Sequence, residues 1–119
     1  MEYPARIESM SLTIAAKSRE MADLRNEMGL KESVATLEIL NAKDEHSKPL
    51  YSNETARSAA IKLALAANPE YQELERKLAA VEMERAQGYA AQERLRGEFK
   101  LYLLDRQQAF AMVRDSVSV

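Results

Sequence analysis

The chain has 119 residues, of which 30% are charged, 6% are aromatic and three are glycine. This composition is typical of amphipathic helices and argues against a sheet protein. The 17 basic and 19 acidic residues nearly cancel, so no overall field favours nucleic acid or anionic lipid. The absence of cysteine excludes a disulfide framework, a cysteine-ligated metal and a cysteine nucleophile.

The hydropathy pattern predicts a soluble protein. No apolar run approaches the ~18 residues that a membrane span needs, and the first residues do not read as a signal peptide. The length suits one domain. We therefore expect a single cytoplasmic helical domain over residues 1–119, without membrane contact.

The first predicted helix runs from about residue 5 to residue 42. Apolar residues recur in steps of three and four as far as Gly29, and then resume in a shifted phase with Leu30, Val34 and Leu37. The shift predicts a local bend or a change of packing partner. The methionines of the earlier stripe suit an adaptable partner surface or, more commonly, a helical core. That stripe consists of Ile7, Met10, Ile14, Met21, Leu24 and Met28.

Residues 43–53 form the predicted connecting loop, in which Leu50 and Tyr51 are expected to anchor the chain to the helices. The single histidine, His46, lies beside two acids. Because neighbouring loop side chains rarely converge on one ion, His46 is expected to face solvent. Glycine-rich phosphate loops and nucleophile–base arrangements are also missing from the sequence. We therefore predict no catalytic residue, no metal site and no cofactor.

A short alanine-rich helix is predicted over residues 54–67, with Asn53 as its cap. Its later part is apolar nearly all round, which predicts a buried helix at the centre of the fold or of a dimer. Pro69 disfavours helical geometry at Asn68. We expect a kink or a short break there, and a continuous bent helix is the alternative.

The last predicted helix spans residues 69–115, and residues 116–119 are expected to fray. It starts with an Asn68 cap, Pro69 in the first turn and the acidic Glu70. So long a helix must be covered by other segments, so we predict an all-α antiparallel helical hairpin with coiled-coil-like packing that forms a homodimer. The predicted oligomer interface consists of six seam residues: Leu74, Leu78, Val81, Leu95, Phe99 and Tyr102.

The middle of this seam is polar, because Arg85, Gly88 and Gln92 occupy three successive core-type positions. Two interpretations remain open. Polar core positions set the register and the oligomeric state of a coiled coil. Alternatively, the alanine-rich helix or its symmetry mate packs closely against Gly88.

A basic ridge flanks the seam and consists of Arg85, Tyr89, Arg96, Lys100 and Arg114, with Gln107 on the same face. Such a strip is a candidate for binding the phosphate backbone of a single-stranded nucleic acid. The favoured alternative is that these residues flank a coiled coil and pair with acids of the first helix. Those acids are Glu20, Asp23, Glu27 and Glu32.

The stretch Tyr51–Leu78 (YSNETARSAAIKLALAANPEYQELERKL) and the charged heptad helix after it resemble small helical prophage proteins encoded near replication and recombination genes. The shared features are a polar turn, the pattern N-E-x-x-R, a break, and "EYQEL" opening a long helix. The resemblance implies an accessory role around DNA recombination or replication, through protein contacts or single-stranded DNA. It carries over no active residue.

The sequence thus predicts a non-enzymatic helical interaction or scaffold protein that acts through protein–protein contacts. One alternative is an accessory single-stranded nucleic-acid-binding protein that uses the basic ridge. Another is an inhibitor or regulator of one host or phage protein.

Overall fold

The computed structural model describes residues 2–117, and the side chains of residues 2–114. The described residues contain no strand, and their only β-type pairing is one isolated bridge in the loop. The all-α class and the helical hairpin are confirmed, and each predicted helix boundary lies within two residues of the observed one. The three helices are α1 (Tyr3–Asn41), α2 (Glu54–Ala66) and α3 (Pro69–Val117).

The loop between α1 and α2 is held by backbone hydrogen bonds and by the carboxylate of Asp44. Asp44 Oδ1 accepts hydrogen bonds from the backbone N–H groups of His46 at 2.8 Å and Lys48 at 3.0 Å. Ser47, at the tip between them, has a positive φ of 63°. The His46 side chain is exposed, as predicted, and its Nε2 lies 3.7 Å from Glu45.

The end of the loop leads into the cap of α2. Asn53 Oδ1 accepts a hydrogen bond from the backbone N–H of Ala56 at 2.8 Å, which satisfies one of the free donors at the helix start. Of the two predicted loop anchors, Tyr51 is half-buried and lines a cleft with Ile39 of α1. Leu50 is exposed, so its predicted anchoring role is wrong.

A true break separates α2 from α3. The side-chain oxygen of Asn68 accepts hydrogen bonds from the backbone N–H groups of Glu70 at 2.9 Å and Tyr71 at 3.2 Å. Pro69 takes the first helical position, where a missing N–H leaves no partner unsatisfied. The structure therefore selects the break over the continuous bent helix.

The chain divides into two compact units. The central unit is Ser18–Met83, and the terminal unit combines residues 1–17 with residues 84–119. The prediction of a single domain stays a prediction. The core of the central unit consists of Met21, Leu24, Leu74 and Val81, with Met28 and Leu78 packed against it. The methionines at positions 21 and 28 thus lie in a helical core, as favoured from the sequence.

The terminal unit contains the polar part of the seam. Gln92 is buried, and its Nε2 donates hydrogen bonds to Ser11 Oγ and, at 3.4 Å, to the carbonyl of Ile7 on α1. This pairing is what the register interpretation requires of a polar core position. The buried amide of Gln92 thus has its hydrogen-bond partners on α1.

Gly88 lies against α1. The alternative that the alanine-rich helix or its symmetry mate packs there stays a prediction. A Cβ atom on Gly88 would stand 3.1 Å from Ile14 Cγ1 and 3.8 Å from Met10 Sδ. The missing side chain therefore makes room for the buried Ile14. Farther along the unit, the Tyr3 ring packs 5.7 Å from Phe99.

The helix α2 is not buried. None of its residues falls in the buried class, and the Leu63 side chain is 72% exposed. Its predicted burial at the centre of the fold is wrong, because α2 meets the rest of the central unit along one face only, and a position at the centre of a dimer stays a prediction. That face carries the half-buried Ala60, Ala64 and Leu65, and the opposite face, with Thr55, Ser58 and Lys62, is exposed.

The helix α3 continues through Ser116 and Val117, where the sequence predicted a frayed tail. The rest of that predicted tail, Ser118 and Val119, lies outside the described residues. Within the described chain, no helix has both the length and the apolar character needed to cross a membrane.

The two glycines of the terminal unit should respond differently to alanine. We expect Gly97→Ala to raise the free energy of unfolding by about 0.8 kcal/mol, because alanine favours the helix and nothing lies within 4 Å of the new Cβ. Gly88→Ala should gain less, because its Cβ meets Ile14 at 3.1 Å. Urea unfolding followed by circular dichroism measures both. An equal gain from the two substitutions would contradict the close approach of α1.

Candidate protein-interaction groove

The six residues predicted as an oligomer interface lie against α1 of the same chain. Leu74, Val81 and Leu95 are buried, and Leu78, Phe99 and Tyr102 are half-buried. Since these side chains are already covered within one chain, a second copy has little of them left to contact. Their role in assembly stays a prediction, and other large apolar residues, such as Leu30 and Phe110, are more exposed.

The central unit contains an open groove of about 380 Å³ between α1 and the end of α2. Its apolar walls come from Leu30, Val34 and Ala35 on one side and from Ala64 and Leu65 on the other. The charged residues Glu27, Lys31 and Glu38 form its rim, and Asn68 closes one end. The groove is thus an apolar trough with a charged edge.

The groove forms because the apolar residues of α1 lie on a different face of the helix after Gly29. Before Gly29 the apolar stripe enters the core of the central unit, whereas Leu30 and Val34 point outward and are 70% and 55% exposed. Ala35 is the buried residue of this stretch. The predicted change of packing partner is therefore real, but the new partner, α2, leaves the larger side chains uncovered.

Small residues keep the groove open. Ala64 of α2 faces the groove where a larger side chain would fill it, and α2 ends at Ala66, so no further helical turn extends over Leu30. The Asn68 break then starts α3 in its own packing against α1. The width of the groove thus follows from the alanine-rich sequence and from the position of the break.

The rim of the groove is acidic. Lys31 forms an ion pair with Glu70, and its hydrogen bond and charge lower the pKa of the Glu70 carboxyl. The carboxylates of Glu27 and Glu38 have no ion pair or hydrogen bond with any described residue. The only lysine of the groove is therefore neutralised within the chain, while two carboxylates are left for a ligand.

A short hydrogen bond fixes the start of α3 against α1 in the same unit. The Tyr71 hydroxyl donates to Glu32 Oε1 at 2.5 Å. This bond, together with partial burial and the charges of Glu32 and Glu75, raises the pKa of Tyr71 to about 12. A hydrogen bond to an ionised acceptor is stronger than one between neutral groups, so it stabilises this junction.

The basic ridge lies in the terminal unit, and the structure spreads its members over different environments. Arg85 is half-buried, while Tyr89 and Lys100 are exposed. Arg96 lies 3.7 Å from Glu93, its neighbour on the same helix. Arg114 is exposed near the end of α3. The ridge is therefore partly compensated by acids of its own helix.

Several ion pairs between α1 and α3 have the opposite polarity to the predicted one. Lys17 pairs with Glu84 in the terminal unit. In the central unit Arg25 lies 3.4 Å from Glu82, and Lys31 pairs with Glu70. In each pair the cation belongs to α1 and the acid to α3. Of the α1 acids expected to meet the ridge, Glu32 instead accepts a hydrogen bond from Tyr71.

The described residues offer no metal site, and a second cleft offers few polar groups for a ligand. Among the described residues, no three histidine, aspartate or glutamate side chains converge to hold a metal ion. A second apolar cleft lies between α1 and α2, but its walls offer little polar chemistry. They consist of Ile39, Tyr51, Ala56, Ala59, Ala60, Leu63 and Ala64.

The architecture is that of an all-α helical hairpin. Comparison of the chain with protein-family models, with curated proteins and with solved structures found no match. The resemblance of residues 51–78 to prophage proteins therefore stays a prediction. The groove is therefore the candidate site on its structure alone. In the sequence, only the phase shift after Gly29 indicated it.

The Tyr71 hydrogen bond predicts an alkaline loss of stability. Because the folded pKa is raised from 10.0 to about 12, folding favours the protonated phenol, so this stabilisation is complete below pH 10 and is lost as the pH rises towards 12. We expect Tyr71→Phe to remove a tyrosinate absorbance step near pH 12, and Tyr89→Phe to leave that step in place. A step that persists in Tyr71→Phe would contradict the assignment.

Proposed function

We propose that this chain is a non-enzymatic interaction protein that binds an amphipathic helix of a partner protein in the groove between α1 and α2. The observation that carries the proposal is the exposure of Leu30 and Val34 beside the small residue Ala64. Contiguous exposed apolar surface with a polar rim is typical of protein interaction sites. An inhibitor or regulator of one partner would use this same surface.

A helix suits the shape of the groove better than an extended peptide does. The residues Leu30 and Val34 are four apart on α1, and the facing wall is also helical, so the trough runs between two helices. Helix-in-groove binding places anchors at positions i, i+3 or i+4, and i+7 of the ligand. No strand edge is present among the described residues to pair with an extended chain.

The charge of the rim indicates the chemistry of the ligand helix. With Lys31 neutralised by Glu70, the uncompensated rim charges are Glu27 and Glu38. A partner helix with lysine or arginine beside its apolar face would complement them. Such complementarity raises the association rate and disfavours acidic partners, and it makes the binding salt-dependent.

A model peptide tests the groove directly. We expect a fluorescent amphipathic helix with leucine anchors and lysine flanks to bind, as measured by anisotropy, and Val34→Asp to weaken binding at least about tenfold. That factor corresponds to about 1.4 kcal/mol, close to the ~1.5 kcal/mol of burying one such side chain. The combined substitution Glu27→Gln and Glu38→Gln should reduce both the affinity and its dependence on salt.

The control variant is Met83→Asp, because Met83 is exposed in the same unit but lies outside the groove. It should bind the peptide as the wild type does. A control peptide with the same leucines and glutamate flanks should bind more weakly. Equal binding of the two peptides, or full affinity in Val34→Asp, would contradict the proposal.

The second candidate function is single-stranded nucleic-acid binding by the basic ridge. It is favoured by the exposure of Tyr89 and Lys100 on one helix, because a base can stack on the ring while the ammonium contacts phosphate. The pairing of Arg96 with Glu93 weakens this candidate relative to the groove.

For this candidate we expect single-stranded DNA to be retarded in a gel at low salt and released at high salt. Arg96→Glu with Lys100→Glu should abolish the shift, because the ridge then repels phosphate. The groove variant Val34→Asp should shift DNA normally. Absence of binding by the wild type at low salt would eliminate the ridge as a nucleic-acid site.

A further inference from the structure

We infer that residues 103–114 of α3, named the α3 arm, pair antiparallel with the arm of a second copy of this chain. The inference goes beyond the proposed function, because it uses a different surface in a different unit. It supplies a homodimer interface that does not depend on the six seam residues already covered by α1.

The helix α1 covers α3 as far as Phe99 and Tyr102, which lie against the first residues of α1. Tyr3 packs on Phe99 and Tyr102, with ring centroids 5.7 and 5.8 Å apart. Beyond this point the large apolar side chains of the arm stay exposed, and Phe110 is 69% exposed. The arm therefore begins where the intramolecular interface ends.

The arm keeps steps of three and four but shifts the phase of the seam, because Leu103 and not Tyr102 follows Phe99 in its series. Leu103, Arg106, Phe110 and Val113 follow Phe99 in steps of four, three, four and three, which places them along one face of the helix. Three of these four residues are large and apolar. A face of this kind is what a partner helix covers in a coiled coil, and it is already helical before any partner binds.

The residues of this face fit a second copy of the arm, because two arms that run antiparallel place complementary side chains opposite each other. In an antiparallel pair, Leu103 lies opposite Val113 of the second copy, and Arg106 lies opposite Phe110. Each arginine then lies against an aromatic ring, an arrangement that Arg106 already shows over Tyr102 at 5.7 Å within its own chain. In a parallel pair Arg106 would instead face Arg106, and the like charges would repel.

The other charges of the arm agree with the reversed register. Asp105 lies at the level of Ala111 of the second copy, and Arg114 at the level of Tyr102. No charged residue of the arm therefore opposes a residue of like charge. Because the interface is the same patch on both copies, it closes as a two-fold dimer and does not propagate.

A dimer of this kind carries two copies of the groove. A partner that presents two basic amphipathic helices on a linker long enough to span both grooves would bind its second helix intramolecularly, at the effective concentration that the linker sets. The arm thus gives an interaction protein a way to increase its apparent affinity without any new contact in the groove.

Solution mass and single substitutions test the arm. We expect sedimentation equilibrium to show a dimer at concentrations up to about 100 µM, and Phe110→Glu to raise the dimer Kd at least about tenfold. The control Leu101→Glu should leave the Kd unchanged, because Leu101 is similarly exposed, at 64%, but lies on the opposite side of the helix. A wild-type monomer at about 100 µM, or an equal effect of both variants, would overturn the inference.

The antiparallel orientation of the two arms is tested by cysteine cross-linking. Because the chain contains no cysteine, only the introduced thiols can react. Positions 103 of two antiparallel copies lie about 15 Å apart along the axis, too far for a disulfide. We therefore expect neither Leu103→Cys nor Val113→Cys to cross-link alone on mild oxidation, and their mixture to yield a cross-linked dimer. Efficient cross-linking of Leu103→Cys alone would mean a parallel pair and overturn the inference.

The two proposals fail separately. Val34→Asp should keep the dimer Kd of the wild type, and Phe110→Glu should keep the affinity of each groove for the monovalent lysine-flanked peptide. A dimer that forms while the peptide does not bind refutes only the groove. If Val34→Asp dissociates the dimer, the groove itself takes the second copy, and the pairing of two arms is wrong.

Discussion

The packing of α1 onto its partner helices is the constraint on which the other features depend. Two helices in contact cover only one face of each other, so a unit built this way buries few side chains. In the central unit the buried core is formed by Met21, Leu24, Leu74 and Val81. Other large apolar residues stay outside, as Leu30 does. The exposed groove is therefore a consequence of the architecture and not an isolated irregularity.

Local signals in the sequence predicted the helices well, and tertiary partners were predicted less well. Asn53, Asn68 and Pro69 fixed two helix starts because capping and the geometry of proline act within a few residues. Periodicity showed which residues share a face, but it did not show which helix covers that face. The pattern did not show that α1 of the same chain covers Leu74 and Leu95, and the role of the seam in assembly stays a prediction. The helix α2 was expected to be buried within the fold although Leu63 is exposed, because the number of neighbours is not recorded in any local pattern.

The polar middle of the seam fixes the register in which α3 packs on α1. The Gln92 amide needs the Ser11 hydroxyl and the Ile7 carbonyl at one position along α1, and Gly88 needs Ile14 near it. A shifted register would leave the amide buried without these partners, at a cost of about 1–3 kcal/mol. The ion pairs from α1 cations to α3 acids add the same directional preference at the surface, where each contributes little by itself. Together these residues select one arrangement among several that the apolar stripe alone would permit.

The groove and the α3 arm are both exposed apolar surfaces, and their charges are opposite. The proposed arm dimer therefore has a second consequence. The arm combines Leu103 and Phe110 with Arg106, so it is itself a basic amphipathic helix of the kind that the acidic groove should prefer. Left single, it would compete with partner helices for the groove of a neighbouring copy, and such head-to-tail contacts propagate unless they close. The proposed antiparallel pairing would cover Leu103 and Phe110 and place Arg106 against a ring. Self-association through the arm would thereby keep the groove open for other ligands.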